Sequence, residues 1–125
     1  MAPRNSGAKG STPPRAADHL PLTHLSFHVL LALAGGDRHG YGIIKAVKEG
    51  SGVLNPGTGT FYSALKRMEE EGLVTEVPPP AISDSEDSRR RYYGVTRLGR
   101  EVLAAETSRL EALVRESRRL AGDTR

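Results

Sequence analysis

A heptad-like run of leucines near the C-terminus constrains the fold of this chain more than any other feature. It comprises Leu103, Leu110, Leu113, Val114 and Leu120. With Thr96 as its N-cap, the spacing predicts a single helix over residues 96–121, interrupted on its apolar face by Glu106 and Ser117. A helix of roughly 25 residues is ~37 Å long, which is too long to be covered by the rest of a small domain. We therefore expect it to pair with a second subunit.

Two helices are predicted at the beginning of the ordered chain, which we expect to start near Leu20. The first follows the N-cap Thr23 and stops at a Gly-Gly pair, and it is apolar around most of its circumference. Such a helix is buried on two sides, so we expect Leu25 and Val29 to belong to the subunit interface. The second helix covers about residues 41–48, and a Gly-Ser-Gly run ends it.

The stretch NPGTGTFYSALKR, residues 55–67, leads into the third predicted helix. Asn55 or Thr58 is its candidate N-cap, and Gly72 closes it. Gly57 and Gly59 are expected to let the backbone turn sharply into the helix. At helical spacing one face is apolar, with Phe61, Ala64, Leu65 and Met68. The opposite face is polar and cationic, with Tyr62, Ser63, Lys66 and Arg67.

Two short β-prone segments, residues 73–77 and 91–95, flank a proline-rich and acidic loop. They predict a β-hairpin with a long loop. The order along the chain is therefore three helices, a hairpin and a long helix. We predict a mainly α fold with a small β-hairpin, that is, a winged helix-turn-helix over residues 20–95 followed by a long C-terminal dimerisation helix.

A glycine-rich start to a helix also occurs in nucleotide-binding enzymes, but the motif here does not match theirs. A P-loop places Lys and then Ser or Thr directly after its last glycine, whereas Lys66 lies nearly two turns into the helix. The dinucleotide-binding pattern lacks its third glycine, because that position holds Tyr62. No serine lies in a nucleophile-elbow pattern. We therefore predict no catalytic residues, no enzyme activity and no cofactor.

Three histidines raise the alternative of a metal site. His24 and His28 are four residues apart on the first helix, and His39 follows that helix. The spacing suits a metal ion, but the glutamate of the zinc-protease motif is missing. Histidines on one helix face are more often ordinary surface residues, and we expect His39 to stabilise the turn before the second helix. We predict no metal site, with a histidine-based metal-sensing regulator kept as an alternative.

Composition limits the partners and the compartment. The net charge of +3 and the pI of about 9.5 permit binding to nucleic acid without arguing for it. The absence of cysteine excludes disulfides and thiolate metal sites. No apolar run reaches the ~20 residues that span a bilayer, so we expect a cytoplasmic protein without membrane contact. Residues 1–19 are rich in Pro, Gly, Ala and Ser and are expected to be disordered, and residues 122–125 form a short tail.

Three consecutive arginines lie beside two tyrosines at the start of the second predicted strand. Arg89, Arg90, Arg91 and Tyr92 suit phosphate contacts that flank a DNA groove. A simpler role for the arginines is to neutralise the acidic loop that precedes them. Combined with the polar and cationic face of the third helix, they favour DNA as the partner.

Three segments resemble the PadR family of transcriptional regulators. LTHLSFHVLLALAGGDRHGYGIIKAVKE resembles the long apolar first helix and the HGY segment of that family. GTFYSALKRMEEEGLV resembles its GTLY-type recognition helix and the following strand, and RRRYYGVTRLGRE resembles its second wing strand and the start of its dimerisation helix. The resemblance covers roughly four-fifths of the chain. The single C-terminal helix is similar to the shorter branch of the family.

The resemblance implies a dimeric, sequence-specific DNA-binding regulator, a repressor that a small-molecule effector releases from an inverted-repeat operator in double-stranded DNA. The expected DNA contacts are Tyr41, Thr58, Thr60, Tyr62, Ser63, Lys66, Arg67, Arg89, Arg90, Arg91 and Tyr92. The expected homodimer interface consists of Leu25, Val29, Leu103, Leu110, Leu113, Val114 and Leu120.

Three positions depart from the family pattern. Gly42 replaces a residue that is usually acidic, Phe61 replaces leucine, and Ser63 stands where proline is frequent. Because Ser63 faces away from the apolar stripe, its identity is expected to change the operator sequence that is read. A winged-helix module that binds proteins, without specific DNA reading, is the remaining alternative.

Overall fold

The computed structural model describes residues 15–80 and 90–122, and within them the chain forms four α-helices and three short strands. In chain order these are α1 (His24–Ala34), β1 (Arg38–His39), α2 (Gly40–Ser51), α3 (Thr58–Glu70), β2 (Val74–Val77), β3 (Tyr92–Val95) and α4 (Arg97–Ala121). The mainly α winged-helix fold with a long C-terminal helix is thus confirmed. None of the helices in these two ranges has the length and apolarity needed to cross a bilayer.

Side chains cap three of the four helices. The Thr23 hydroxyl accepts a hydrogen bond from the Ser26 backbone N–H (3.0 Å), and the Thr96 hydroxyl accepts one from the Gly99 N–H (2.9 Å). Both caps confirm the sequence predictions. His39 caps α2 in the same way, and a left-handed Gly52 (φ 74°) ends that helix three residues beyond the predicted end.

The start of α3 differs from the prediction. Its N-cap is Gly57, which forms no side-chain cap, so neither Asn55 nor Thr58 caps the helix. Gly57 has φ −68° and ψ 157°, a conformation that any residue adopts, and Gly59 lies inside the helix. The expectation that these glycines permit a sharp turn is therefore wrong, since neither has a positive φ. Gly72 does adopt one (φ 81°) and closes α3 as predicted.

The wing is a three-stranded antiparallel sheet in the order β1-β3-β2. Residues 74–77 pair with residues 92–95, as a hairpin requires. The additional strand β1 pairs Arg38 with Tyr93 and His39 with Tyr92. A two-residue strand has no alternation of its own, so the sequence did not predict it. Its consequence is that the segment before α2 is fixed to the wing.

The core is built around α1, which contacts α2, α3, α4 and β3. The largest fully buried side chains of the core include Leu30, Leu33, Ile43, Phe61, Leu65 and Met68. The predicted apolar stripe of α3 is thus confirmed. Val29 has no exposed surface in the single chain, so it belongs to this core, and its predicted place in a subunit interface is wrong.

The long helix α4 is buried only along its first half. Gly99, Val102 and Glu106 are buried, whereas residues 111–122 are all exposed. At Gly99 a Cβ atom would overlap the carbonyl oxygen of Leu73, so a glycine is required where α4 crosses the chain before β2. Its second half extends beyond the core.

Glu106, which the leucine spacing marks as an interruption, is buried with 2% exposure. Its carboxylate accepts hydrogen bonds from the Leu22 backbone N–H (3.0 Å) and from Nε and Nη2 of Arg109 (2.6 and 2.9 Å). The hydrogen bonds of Arg109 lower the pKa of Glu106 most, and that of Leu22 contributes, although burial acts in the opposite direction. Glu106 therefore ties the segment before α1 to α4.

That segment is more ordered than the sequence predicted. Ala16–His19 forms a 3₁₀ turn that packs on α4, with Ala16 and Leu20 partly buried against the core. The predicted disorder of residues 1–19 is therefore wrong for residues 16–19. Residues 1–14 lie outside the described part of the chain, as do residues 123–125 of the predicted tail.

Candidate nucleic-acid interface

The exposed face of α3 is the first component of the candidate interface. Phe61, Ala64, Leu65 and Met68 anchor the helix in the core. At about 100° per residue, Ser63 and Lys66 lie at the centre of the opposite face. Tyr62, 42% exposed, lies on one side of them. Thr60 and Arg67 lie on the other side, and all are exposed.

On the Tyr62 side, a cleft joins the starts of α2 and β3 to α3. Its lining residues are His39, Gly40, Tyr41, Tyr62, Arg90, Arg91 and Tyr93. A Cβ atom at Gly40 would lie 2.5 Å from the Tyr62 hydroxyl oxygen, so the tyrosine ring covers this glycine closely. The cleft is therefore lined by three phenol rings and two guanidinium groups, on the same side of the molecule as the α3 face.

His39 lies at the back of this cleft. Its Nδ1 accepts a hydrogen bond from the Gly42 backbone N–H (3.0 Å), and its Nε2 lies 2.8 Å from Nη1 of Arg90. The imidazole ring stands edge-on to Tyr92 (centroids 5.4 Å apart) and parallel to Tyr41 (6.5 Å). The expectation that His39 stabilises the turn before α2 is confirmed, and the ring also reaches the wing.

Tyr93 and Arg91 form a second link between the wing and the cleft. Burial raises the pKa of the Tyr93 hydroxyl, and a hydrogen bond with the Arg91 side chain partly opposes that rise. Tyr93 is only 7% exposed. Its hydroxyl thus gives the exposed Arg91 a fixed neighbour.

On the other side of α3, a second cleft separates this helix from the start of α1. It is lined by Thr23, Leu25, Gly59, Thr60, Ser63, Ala64 and Arg67. Leu25, which the sequence assigned to the subunit interface, is half-buried and lies beside α3 in this cleft. The α3 face is therefore a ridge with a cleft on each side.

The cations of the α3 face are not neutralised within the described chain. The ion pairs in residues 15–80 and 90–122 join Arg97 to Glu101, Arg109 to Glu106 and Arg119 to Glu116. Lys66 and Arg67 take part in none of them. Their charges are accordingly available to a phosphate.

The structure brings together most of the predicted DNA contacts. Tyr41, Tyr62, Arg90 and Arg91 share the first cleft, and Thr60, Ser63 and Arg67 share the second. Tyr92 is only 7% exposed, so its ring lies in the interior of the wing and not on the surface expected of a DNA contact. Arg89 lies outside the described residues. Sequence reasoning missed Gly40 and the contact of His39 with Arg90, for which the HGY segment was the available signal.

A separate apolar surface lies on α4 and α1. Leu113, Val114 and Leu120 are 52%, 49% and 69% exposed. A cleft between the helices is lined by Phe27, Thr107, Leu110, Glu111, Val114, Arg115 and Arg118. Leu103 is half-buried against the core of its own chain. The predicted interface residues that remain on this surface are Leu110, Leu113, Val114 and Leu120, and Phe27 joins them.

The three histidines do not form one cluster. The rings of His24 and His28 are 4.8 Å apart on α1, and burial and the neighbouring His24 lower the pKa of His28. His39 caps α2 instead. Within the two described ranges, no three potential metal-ligating side chains lie together.

A family model and solved structures of PadR-like regulators match this chain. The model of the Transcriptional regulator PadR-like family matches residues 29–105. A PadR family transcription regulator from Clostridium difficile shares 29% sequence identity with a TM-score of 0.68, over 80% of this chain and 100% of that one. A PadR-like transcriptional regulator from Bacillus cereus has the same fold, with a TM-score of 0.66 at 20% identity, over 79% of this chain and 92% of that one.

A relative in Streptomyces fradiae, a 37.1 kDa protein in transposon TN4556, is 39% identical over 92 residues, which are 71% of this chain. The match spans only 24% of the length of that relative. The similarity therefore concerns one part of a longer protein.

Proposed function

The chain belongs to the PadR-like family of transcriptional regulators, and from this membership we propose that it is a homodimeric, sequence-specific DNA-binding repressor acting in the cytoplasm. The observation that carries the proposal is the arrangement of α3. Its exposed face carries Ser63, Lys66 and Arg67, and the two cations form no ion pair within residues 15–80 and 90–122. The face stands beside a cleft that carries the wing arginines Arg90 and Arg91.

The two parts of this surface suit different parts of a DNA duplex. A helix inserted into the major groove reads base edges mainly with its N-terminal turns, which places Thr58, Thr60, Tyr62 and Ser63 nearest the bases. Lys66 and Arg67 lie one turn later and reach either a guanine or a flanking phosphate. Tyr41, Arg90 and Arg91 lie to the side of α3, where they suit backbone phosphates.

Dimerisation through α4 accounts for the exposed apolar surface. A partner helix covering Leu110, Leu113, Val114 and Leu120 removes from water a surface that a monomer leaves exposed. A twofold dimer places two α3 helices in successive major grooves, ~34 Å apart. The operator is then an inverted repeat with half-sites about one helical turn apart. A small-molecule effector that favours the DNA-free arrangement of the dimer releases the repressor.

Selection of duplexes from a randomised library, followed by binding measurements across a salt series, tests the proposal. We expect an inverted repeat to be enriched. The logarithm of affinity should fall steeply with the logarithm of salt concentration, because phosphate contacts release counterions. Enrichment of no sequence, together with salt-independent weak binding, would overturn the proposal and leave the alternative of a winged-helix module that binds proteins.

A further inference from the structure

His39 connects the two DNA-facing parts of the molecule. It begins α2 as the N-cap, and through Nε2 it contacts Arg90, 51 positions later at the start of the wing's last strand. We propose that His39 is a positioning residue that holds Arg90 beside Tyr41 and Tyr62, ready for a backbone phosphate. This inference rests on the proposed DNA-binding function and assigns a role to a residue that does not itself contact DNA.

The chemistry of the ring makes this contact reversible. A neutral imidazole has one nitrogen that accepts a hydrogen bond and one that donates. Two donors face the ring of His39: the Gly42 backbone N–H lies 3.0 Å from Nδ1, and a guanidinium nitrogen of Arg90 lies 2.8 Å from Nε2. The neutral ring therefore accepts from one of them at a time, and the two donors compete for a single lone pair.

This competition lowers the cost of moving Arg90 onto DNA. When the guanidinium turns to a phosphate, the ring proton moves through solvent from Nδ1 to Nε2, and Nδ1 then accepts a hydrogen bond from the Gly42 N–H, so the cap of α2 is strengthened. One lost hydrogen bond is thus replaced by another. The guanidinium is held close to its working position before binding, so less conformational entropy is lost when DNA arrives.

Two features of the cleft keep His39 in place. Its ring is fixed by the edge-on contact with Tyr92 and the parallel contact with Tyr41. The strand pairing of His39 with Tyr92 fixes its backbone to the wing. Gly40, directly after it, leaves room for the Tyr62 ring. The imidazole is therefore placed by the sheet.

The substitution His39→Asn separates the two roles of this residue. Asparagine is a good N-cap, so the cap of α2 is kept, but it has no atom at the position of Nε2. His39→Ser, with a different N-cap side chain, is measured in parallel, and thermal melting of both variants checks that the fold is retained. The probe is a fluorescein-labelled DNA duplex of mixed sequence at low salt. Arg90→Ala and the double variants that combine it with each His39 substitution complete a double-mutant cycle.

We expect His39→Asn to weaken duplex binding about two- to tenfold with an unchanged salt slope, since the phosphate contact of Arg90 still forms. Arg90→Ala should weaken binding and lower the slope by about one. In the Arg90→Ala background, His39→Asn should have no further effect. A role limited to capping or ring packing would give the same loss in both backgrounds.

That equal loss, or full affinity of the His39 variants while the wild type binds duplex, would overturn the inference and leave the proposed function intact. A wild-type protein that binds no duplex would overturn the proposed function and this inference with it. The two failures are therefore distinguished by the wild-type measurement alone.

Discussion

Glu106 lies on the face of α4 where the leucine spacing expects an apolar side chain, and it is buried there against Leu22 and Arg109. The sequence predicted the helix and its cap Thr96, because both depend on neighbours close in the chain. The partner of Glu106 is a backbone N–H 84 positions away, so no local pattern contains it. For the same reason, the sequence placed His39 in the turn before α2 but did not reveal its contact with Arg90.

At this scale we predict that Glu106→Gln destabilises the fold in a pH-dependent way. The pKa of Glu106 is lowered in the folded state, so its stabilising effect is present above the ordinary glutamate pKa. It is lost as the pH falls through the lowered value. At neutral pH the variant should melt about 5–10 °C below the wild type, and the two melting temperatures should converge in acid.

Glu101→Gln is the matched control, because Glu101 pairs with Arg97 on the same helix at an exposed site (3.3 Å). Exposed pairs contribute little, so its melting temperature should change by no more than about 2–3 °C at any pH. An equal effect of the two substitutions would mean that burial of Glu106 has no energetic consequence.

Among the elements, α3 was predicted best, because a helix with one buried face shows its period directly in the sequence. The alternation of buried and exposed residues from Phe61 to Met68 agrees with the prediction throughout. Its start was predicted worst. The φ and ψ angles of Gly57 are ones that any residue adopts. The prediction mistook a glycine-rich composition for a conformational requirement. The strand β1 was missed because two residues carry no pattern.

For α3 we predict that Ser63→Ala and Tyr62→Phe alter sequence preference without lowering the melting temperature. Ser63 lies at the centre of the exposed face and Tyr62 at its side, so Ser63→Ala should have the larger effect. Each lost base contact is worth roughly 1–3 kcal/mol of discrimination. The measurement is enrichment from a randomised operator library, with wild type and variants selected side by side.

Ser108→Ala, an exposed serine on α4, is the control and should select the same sequences as the wild type. In contrast, Arg90→Ala together with Arg91→Ala should weaken binding to all duplexes alike. If the arginine variants change the preference and the α3 variants do not, the wing reads the sequence and α3 does not.

At the scale of the whole molecule, α4 is covered by its own chain in its first half and exposed in its second half. Predicting that this helix needs a partner required only its length and its leucines. Which residues remain exposed for the proposed partner depends on the packing of α1, because Val29 is fully buried in the core whereas Phe27 lines the cleft beside α4. The sequence therefore indicated how much apolar surface the chain carries, but not which part is buried in the core and which part stays exposed.

We predict that Leu110→Asp combined with Leu113→Asp yields a folded monomer that no longer binds an inverted-repeat operator. Two carboxylates at the centre of an apolar interface cost several kcal/mol when they are buried without partners. Analytical ultracentrifugation gives the mass, and far-UV circular dichroism checks the helix content.

The control is Ser108→Asp combined with Ala112→Asp, which places two carboxylates on exposed positions of the same stretch of α4, away from the leucine face. This variant should sediment as the wild type does. A Leu110/Leu113 variant that stays dimeric would exclude α4 as the dimer contact.

The unbroken course of α4 also has a mechanical consequence. One rigid rod of 25 residues connects the wing, where Thr96 and Gly99 fix its near end, to the exposed leucines at its far end. In the proposed dimer, α4 rotates as a rigid body about the contact between the subunits. A tilt of about 5° over ~37 Å displaces the near end by roughly 3 Å, against a groove repeat of ~34 Å. A small shift of the leucine contacts by an effector is therefore enough to change the spacing of the two α3 helices, so that they no longer match successive major grooves.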